Sequence, residues 1–295
     1  MLDYKNFIQS RNITIYKKEN DYYIKFFNDS KNEFVEKKIN LQNTNIKEQF
    51  SNQKYNERYK NCKRNEALEN FMMVPFSFHY YETLAKNASP INGLIIPRVD
   101  LFTQTYIEKY CKKLPNGNYT FKEDFLFRPG NIEFTFQELQ GRMLRGYNSY
   151  NREIEFCIKA MKKLKDCEIS YDLSKDMLDG VDLFIKYKGK QFAIAEYVGT
   201  KRAMSFKNIK NTNRHDYSDY EMIDLIAKFD GPEKNTTSCG DVLIYSDDCI
   251  NDILTEMDDR VSKSTSLEDI IDKHLKNYQE DVKGNKSRKK EEIIK

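Results

Sequence analysis

The stretch "VDLFIKYKGKQFAIAEYV", residues 181–198, decides the fold. Two runs rich in β-branched and aromatic residues flank the polar Lys188-Gly189-Lys190, and a short glycine turn between such runs reads as an antiparallel hairpin. The hairpin sets the start of its first strand beside the end of its second, so Asp182 and Glu196 meet at the open side, away from the turn. Two carboxylates at one sheet edge, with no arginine in either strand, repel each other unless a cation lies between them. Hard divalent cations take such oxygen donors. Glu196 also interrupts the otherwise apolar "FAIAEYV", where an unpaired charge is costly.

Upstream, "TFQELQGRMLRG" (135–146) and "SYNREIEFCIKAMKKLK" (149–165) read as two helices. In the second, Ile154, Ile158, Met161 and Leu164 recur at helical spacing and Glu155 and Lys159 form an i,i+4 pair. "CEISYDLS" (167–174) alternates as a strand. Downstream, "DYEMIDLIAKF" (219–229) reads as a helix, "DVLIYS" (241–246) as a strand and "CINDILTEMDDRVSK" (249–263) as a helix. The order is helix, three-strand meander, helix, strand, helix, which predicts an α/β core over residues 149–262. Ahead of it, "ITIYKK", "DYYIKFF" and "EFVEKKINL" read as three strands. They are followed by a polar helical region at 45–87, broken at Pro75, and by loops around short elements to residue 130. Residues 1–148 are thus expected to be a mixed α+β region for target or partner recognition, and 263–295 a charged C-terminal helix and tail.

The 295 residues are 32% charged and 39% hydrophobic, with 20 Tyr, 19 Phe, no Trp and a formal net charge of +3, so any nucleic-acid surface must be local. The N-terminus lacks an apolar core of signal-peptide length, and no apolar run approaches the roughly 20 residues that span a bilayer. A cytoplasmic location with no membrane partner is the expectation. Six scattered cysteines without C-x-x-C spacing read as reduced thiols. Phosphate-loop, Rossmann and serine-elbow motifs are absent. Two clusters carry local positive charge. "TKRAMSFKNIKNTNRH" (200–215) holds Lys201, Arg202, Lys207, Lys210, Arg214 and His215 with no acid among them. "GRMLRGYNSYNR" (141–152) sets Arg142, Arg145 and Arg152 beside Tyr147 and Tyr150, a mixture suited to gripping phosphates and stacking on bases.

Asp182, then Glu196, then Lys201, on a hairpin preceded by a helix and followed by a helix and a fourth strand, resembles the PD-(D/E)xK nuclease superfamily over roughly residues 149–260. The resemblance implies a restriction-endonuclease-like core. In it, Asp182 and Glu196 bind Mg²⁺ or Mn²⁺ with the Tyr197 carbonyl as a third ligand, Glu153 or Glu155 is the helix carboxylate, and Lys201 assists the attacking water. The family's lysine lies two residues after the second acid, where this chain has Val198; Lys201 lies three residues further, and Gly199 is expected to supply the bend that returns it. What the family implies is a Mg²⁺-dependent endonuclease that hydrolyses DNA phosphodiester bonds in restriction or defence against foreign DNA. Duplex DNA is its partner, and paired cuts call for a homodimer. Two alternatives stay open: a catalytically inactive nuclease-like module that binds nucleic acid or protein, and a ribonuclease.

Overall fold

Helix α1 (Tyr4–Ser10) leads into the antiparallel meander β1 (Thr14–Lys18), β2 (Asp21–Asn28) and β3 (Glu33–Ile39), in a computed structural model that describes residues 4–51, 64–69, 74–123, 131–199 and 220–263. Helices α2 (Ile46–Ser51), α3 (Glu66–Glu69), α4 (Val74–Asn87) and α5 (Val99–Tyr110) follow, then the strand pair β4 (Cys111–Lys113) and β5 (Tyr119–Phe121). Pro75 occupies the first turn of α4, where its missing N–H costs nothing. Helix α6 (Phe136–Lys163) precedes β6 (Glu168–Asp172), α7 (Leu173–Asp179), β7 (Leu183–Tyr187) and β8 (Lys190–Val198). After β9 (Glu221–Ala227) come the hairpin β10 (Thr236–Cys239) and β11 (Val242–Tyr245), and a helix, α8, over the described residues 248–263. The chain divides after Ile250, and within the second unit, Asn251–Lys295, the described residues 251–263 are helical.

The expected hairpin forms, with Lys188 and Gly189 at φ 47° and 80°, the left-handed pair that a two-residue turn requires. It sits in a seven-stranded sheet of order β3-β2-β1-β6-β7-β8-β9, antiparallel throughout except for the parallel β8–β9 edge. The N-terminal meander therefore belongs to the same sheet as the hairpin, because β1 pairs with β6 (Thr14↔Asp172). Residue 148, the expected boundary, lies inside α6.

Strand period places one buried row across the sheet: Ile24, Ile15, Tyr171 and Ile169, then Ile185 and Leu183, then Ile194, then Ile223. Helix α6 is buried along almost its whole length and packs on α3, α4, α5, β6 and β11. It starts at a capping box, in which the Thr135 hydroxyl accepts from the Glu138 N–H and the Glu138 carboxylate accepts from the Thr135 N–H. Two helices were expected over this span, yet one continuous helix runs through Gly146. The glycine cost of about 1 kcal/mol is small beside the apolar burial on both sides of it.

The helix expected at 219–229 is corrected: residues 221–227 are strand β9. Met222, Ile223, Leu225 and Ile226 fit helical spacing, but Ile223, Leu225 and Ala227 are the buried alternate set against β8, with Met222 and Ile226 half-buried on the other face. The second face mixes the apolar Met222 and Ile226 with an exposed Asp224, so the polar alternation that marks a strand in sequence is blurred. Likewise "YDLS" ends β6 and opens α7. Among the described residues no helix is long and apolar enough to cross a membrane, and the described cysteines are free thiols.

Ile194 pairs with Leu183 on one side and Ile223 on the other and is fully buried. Replacing Ile194 with Ala is expected to lower the unfolding free energy by about 2–5 kcal/mol, measured by urea denaturation.

Candidate metal centre

Three carboxylates, Glu153, Asp176 and Asp182, converge at the open end of the β7–β8 hairpin, with Glu196 close by. Glu153, half-buried on α6, is oriented by Ser149, one turn earlier, whose Oγ donates to Oε1 at 2.7 Å, and by Tyr81 of α4, whose hydroxyl donates to Oε2 at 3.3 Å. The Tyr81 ring stacks on Tyr171 of β6 with centroids 4.6 Å apart, and the Tyr171 hydroxyl donates to Asp176 Oδ2 at 2.8 Å. Asp176 is carried by α7, a seven-residue helix capped at one end by Asp172, which accepts the Lys175 N–H at 3.1 Å. Gly180 closes the other end in the left-handed conformation, φ 71°. The Asp179-Gly180 pair is thus turn chemistry, and it delivers Asp182 to the start of β7.

Asp182 is buried, with its N–H donating to the Ile194 carbonyl oxygen at 2.9 Å and its Oδ2 accepting the Glu196 N–H at 2.6 Å. Glu153, Asp176 and Asp182 each offer an oxygen within 4.8 Å of the others. Glu196 adds a fourth carboxylate from β8, and its Oε2 is buried without a hydrogen-bond partner among the described residues.

Burial, then the negative charges of Asp176, Glu153 and Glu196, push the Asp182 carboxyl well above the usual range, against the bond from the Glu196 N–H. Glu196 is raised by burial and then by Glu153, with the Arg152 guanidinium opposing. Glu153 is raised by burial, against Ser149, Arg152 and Tyr81. Buried like charges that drive one another toward protonation are what a divalent cation relieves. An all-oxygen donor set with an orphaned Glu196 oxygen fits a hard cation such as Mg²⁺ or Mn²⁺.

Of the residues singled out in the sequence, the fold brings together Asp182, Glu196 and Glu153. Glu155 faces elsewhere: it is buried against Lys159 at 3.1 Å, the i,i+4 pair read from sequence. Asp176 was missed. Its signal was the Asp172 and Gly180 cap residues around "LSKDMLD", which mark a helix too short to show a period. Val198, half-buried, lies two residues after Glu196 on the same face of β8. Gly199 supplies no left-handed bend: its N–H donates to the Ala227 carbonyl oxygen at 3.1 Å, and a Cβ there would lie 3.1 Å from Ile226 Cγ2, so the position serves close approach to β9. Lys201, Arg202, Lys207, Lys210 and Arg214 lie outside the described residues.

The expectation that Arg142, Arg145 and Arg152 grip a polymer is corrected by their places on α6. Arg142 is buried, its Nε donating to the Leu68 carbonyl oxygen at 2.9 Å, and the half-buried Arg145 pairs with Glu69. Arg152 is buried with its guanidinium 5.6 Å from the Phe229 ring centroid and 5.9 Å from that of Tyr245. A helix buried on nearly every side turns its cations inward with it. Comparison of the chain with protein-family models, with curated proteins and with solved structures finds no match in any of the three.

The raised Asp182 and Glu196 carboxyls hold protons in the folded state at pH values where the unfolded chain has released them. Their contribution is therefore fully present below the ordinary carboxylate range, about pH 4, and is lost as pH rises toward the folded-state values. Asp182→Asn keeps an oxygen for the Glu196 N–H and removes a charge. In EDTA it should be more stable than the native protein at pH 8, with the advantage shrinking toward pH 4, as read by urea denaturation at both pH values.

Proposed function

We infer that the protein is a divalent-cation-dependent nuclease that hydrolyses phosphodiester bonds, with DNA as the substrate and a restriction-endonuclease-like core as the scaffold. The observation that carries this reading is the meeting of Glu153, Asp176 and Asp182 at the open end of one hairpin, with the Glu196 N–H bonded to Asp182 beside them. The strand order supports it too: an antiparallel β6-β7-β8 meander extended by the parallel strand β9, behind helix α6, gives the sheet of a helix-meander-crossover-strand core.

Glu153, Asp176, Asp182 and Glu196 are the residues that would hold the cation. When bound, it supplies Lewis acidity to the phosphoryl oxygen and lowers the pKa of an attacking water. The protein's own part is orientation. Ser149 and Tyr81 fix Glu153, Tyr171 fixes Asp176, and the Glu196 N–H fixes Asp182, so these carboxylates are oriented by the protein itself. Arg152 tempers the repulsion, drawing the Glu153 and Glu196 carboxyls back toward their charged forms.

One observation favours a second reading, a nuclease-like module that binds without cutting: Val198 stands where the resembled family has its lysine. Supercoiled plasmid, single-stranded DNA and RNA incubated with Mg²⁺, Mn²⁺ or EDTA separate the readings. Cleavage is expected with the metals and not with EDTA, reduced on the order of a hundredfold or more by Asp182→Ala or Glu196→Ala. Preference for RNA makes the protein a ribonuclease. Binding unaffected by EDTA and by both substitutions, with no cutting of any polymer, makes it a recognition module.

A further inference from the structure

A cavity of about 490 Å³ opens between the β1–β2 turn, the end of β3 and the C-terminal turn of α6. That volume lies within the range of small-molecule sites. Lys162, in its wall, stands nine residues beyond Glu153, about 14 Å further along α6 and half a turn round it. The cavity and the acidic cluster therefore lie on opposite sides of the helix.

The charge around this space is one-sided. Its wall holds Lys17, Lys38, Lys162 and Lys165 against one acid, Asp21. Asp21 is already answered by Lys38, at 2.7 Å. Lys17 is committed as well: its ammonium donates to the Leu164 and Lys165 carbonyl oxygens at 3.0 and 2.8 Å and so offsets the negative end of α6. Two cations remain. Lys162, half-buried, has one backbone acceptor, the Thr44 oxygen, at the long distance of 3.5 Å, and Glu155, the acid whose charge reaches it, is held by Lys159. Burial lowers its hold on the proton, as it does for a charge short of partners. The exposed Lys165 ammonium has no hydrogen bond or ion pair among the described residues. The Asn40 side chain adds donation, because its Oδ1 is taken by the Gln42 and Asn43 N–H groups at 3.0 and 3.4 Å and its amide nitrogen is left to donate. Two ammoniums with no acid left to answer them call for an anion of more than one charge. Tyr22, Ile39 and Met161 in the same wall offer apolar surface for an organic part.

We propose that this cavity binds a small phosphomonoester, its dianionic phosphate on Lys162 and Lys165 and its organic part against Tyr22 and Met161. A phosphate concentrates close to two charges and three acceptor oxygens in one compact group, which two lysines three positions apart can reach together. A dicarboxylate of the same charge holds its two charges apart. The site does not depend on the nuclease reading.

Isothermal titration of the full chain at low ionic strength, in EDTA to keep metal from the acidic cluster, tests the proposal with adenosine 5′-monophosphate, inorganic phosphate, adenosine and succinate. The monophosphate should give a saturable heat, with each of the other three at least about tenfold weaker, the ratio expected for one lost charge-assisted hydrogen bond. Lys162→Met, which keeps the half-buried stem, and Lys165→Ala, at an exposed position, should each weaken the monophosphate about tenfold. Lys163→Ala, which removes an ammonium that pairs with Asp247 outside this wall, should leave it unchanged. The proposal is overturned if the monophosphate gives no heat at millimolar concentration or if phosphate, adenosine or succinate binds as tightly. It is equally overturned if Lys165→Ala binds the monophosphate as the native protein does, or if Lys163→Ala weakens it as much as Lys165→Ala.

Discussion

A helix buried on nearly every side must bury its charges as well, and α6 carries Arg142, Arg152, Glu155 and Lys159 into the interior with it. An isolated charge moved out of water costs several kcal/mol even after the protein relaxes, so each of these groups depends on what the neighbouring elements present. Backbone oxygens do much of this: Leu68 accepts from Arg142 and Tyr245 from Lys159. Aromatic faces do more of it, with Phe229 and Tyr245 flanking Arg152. Strand β11 is therefore held to α6 by polar contacts as well as apolar packing, and the Tyr245 hydroxyl also donates to the Leu225 carbonyl oxygen of β9 at 3.2 Å. Leu225 pairs with Glu196 in the β8–β9 ladder, and this ties the acidic end of the sheet to the helix.

At that end the pairing of charge with partner stops. Strand period puts Glu196 on the same face as Phe192 and Ile194, so its carboxylate faces the core side of the sheet. A one-residue slip of β8 would turn Glu196 to the other face and drive Phe192 and Ile194 out of the core, so the apolar residues hold the acid where it is. Asp182 is fixed by the same ladder through its bonds to Ile194 and Glu196. The hydroxyls of Ser149, Tyr81 and Tyr171 orient the remaining two carboxylates but bring no positive charge. The arrangement costs stability wherever the acids are ionised, and such local costs are characteristic of sites held for a ligand.

How much of this could be read from the chain depends on whether the deciding contacts were local. The hairpin was legible because turn and strand chemistry occupy eighteen consecutive residues, 181–198, and the meander at 13–41 for the same reason. Strand β9 was not, because the apolar Met222 and Ile226 on its second face blurred its alternation; only its pairing with β8 distinguishes it from a helix. That the N-terminal meander and the hairpin share one sheet rests on the β1–β6 pairing, more than 150 residues apart in sequence, for which no local pattern exists. The α6 arginines read as a phosphate-gripping surface because charge is usually solvated. Their burial follows from the packing of α3, α4, α5 and β11 around the helix, which the helix's own sequence does not encode. Asp176 combined both difficulties, sitting on a short helix whose importance appears only when β6 and α4 close over it.

Glu153 and Glu155 show how far two residues of the same type can diverge. At about 100° per residue, two positions along a helix turn a side chain by roughly 200°, so the two carboxylates leave α6 in nearly opposite directions. One points toward the sheet edge and meets Asp176 and Asp182; the other points toward α2 and meets Lys159. Sequence spacing made them interchangeable as the helix carboxylate, and helical geometry excludes the second. Both are raised by burial, but the opposing influences differ: hydroxyl donors and Arg152 for Glu153, the ammonium of Lys159 first for Glu155. Glu153, beside other acids, is answered by hydroxyl donors and by Arg152 at longer range. Glu155 is bound to a lysine through a single oxygen, and that difference in partners separates the two faces of α6.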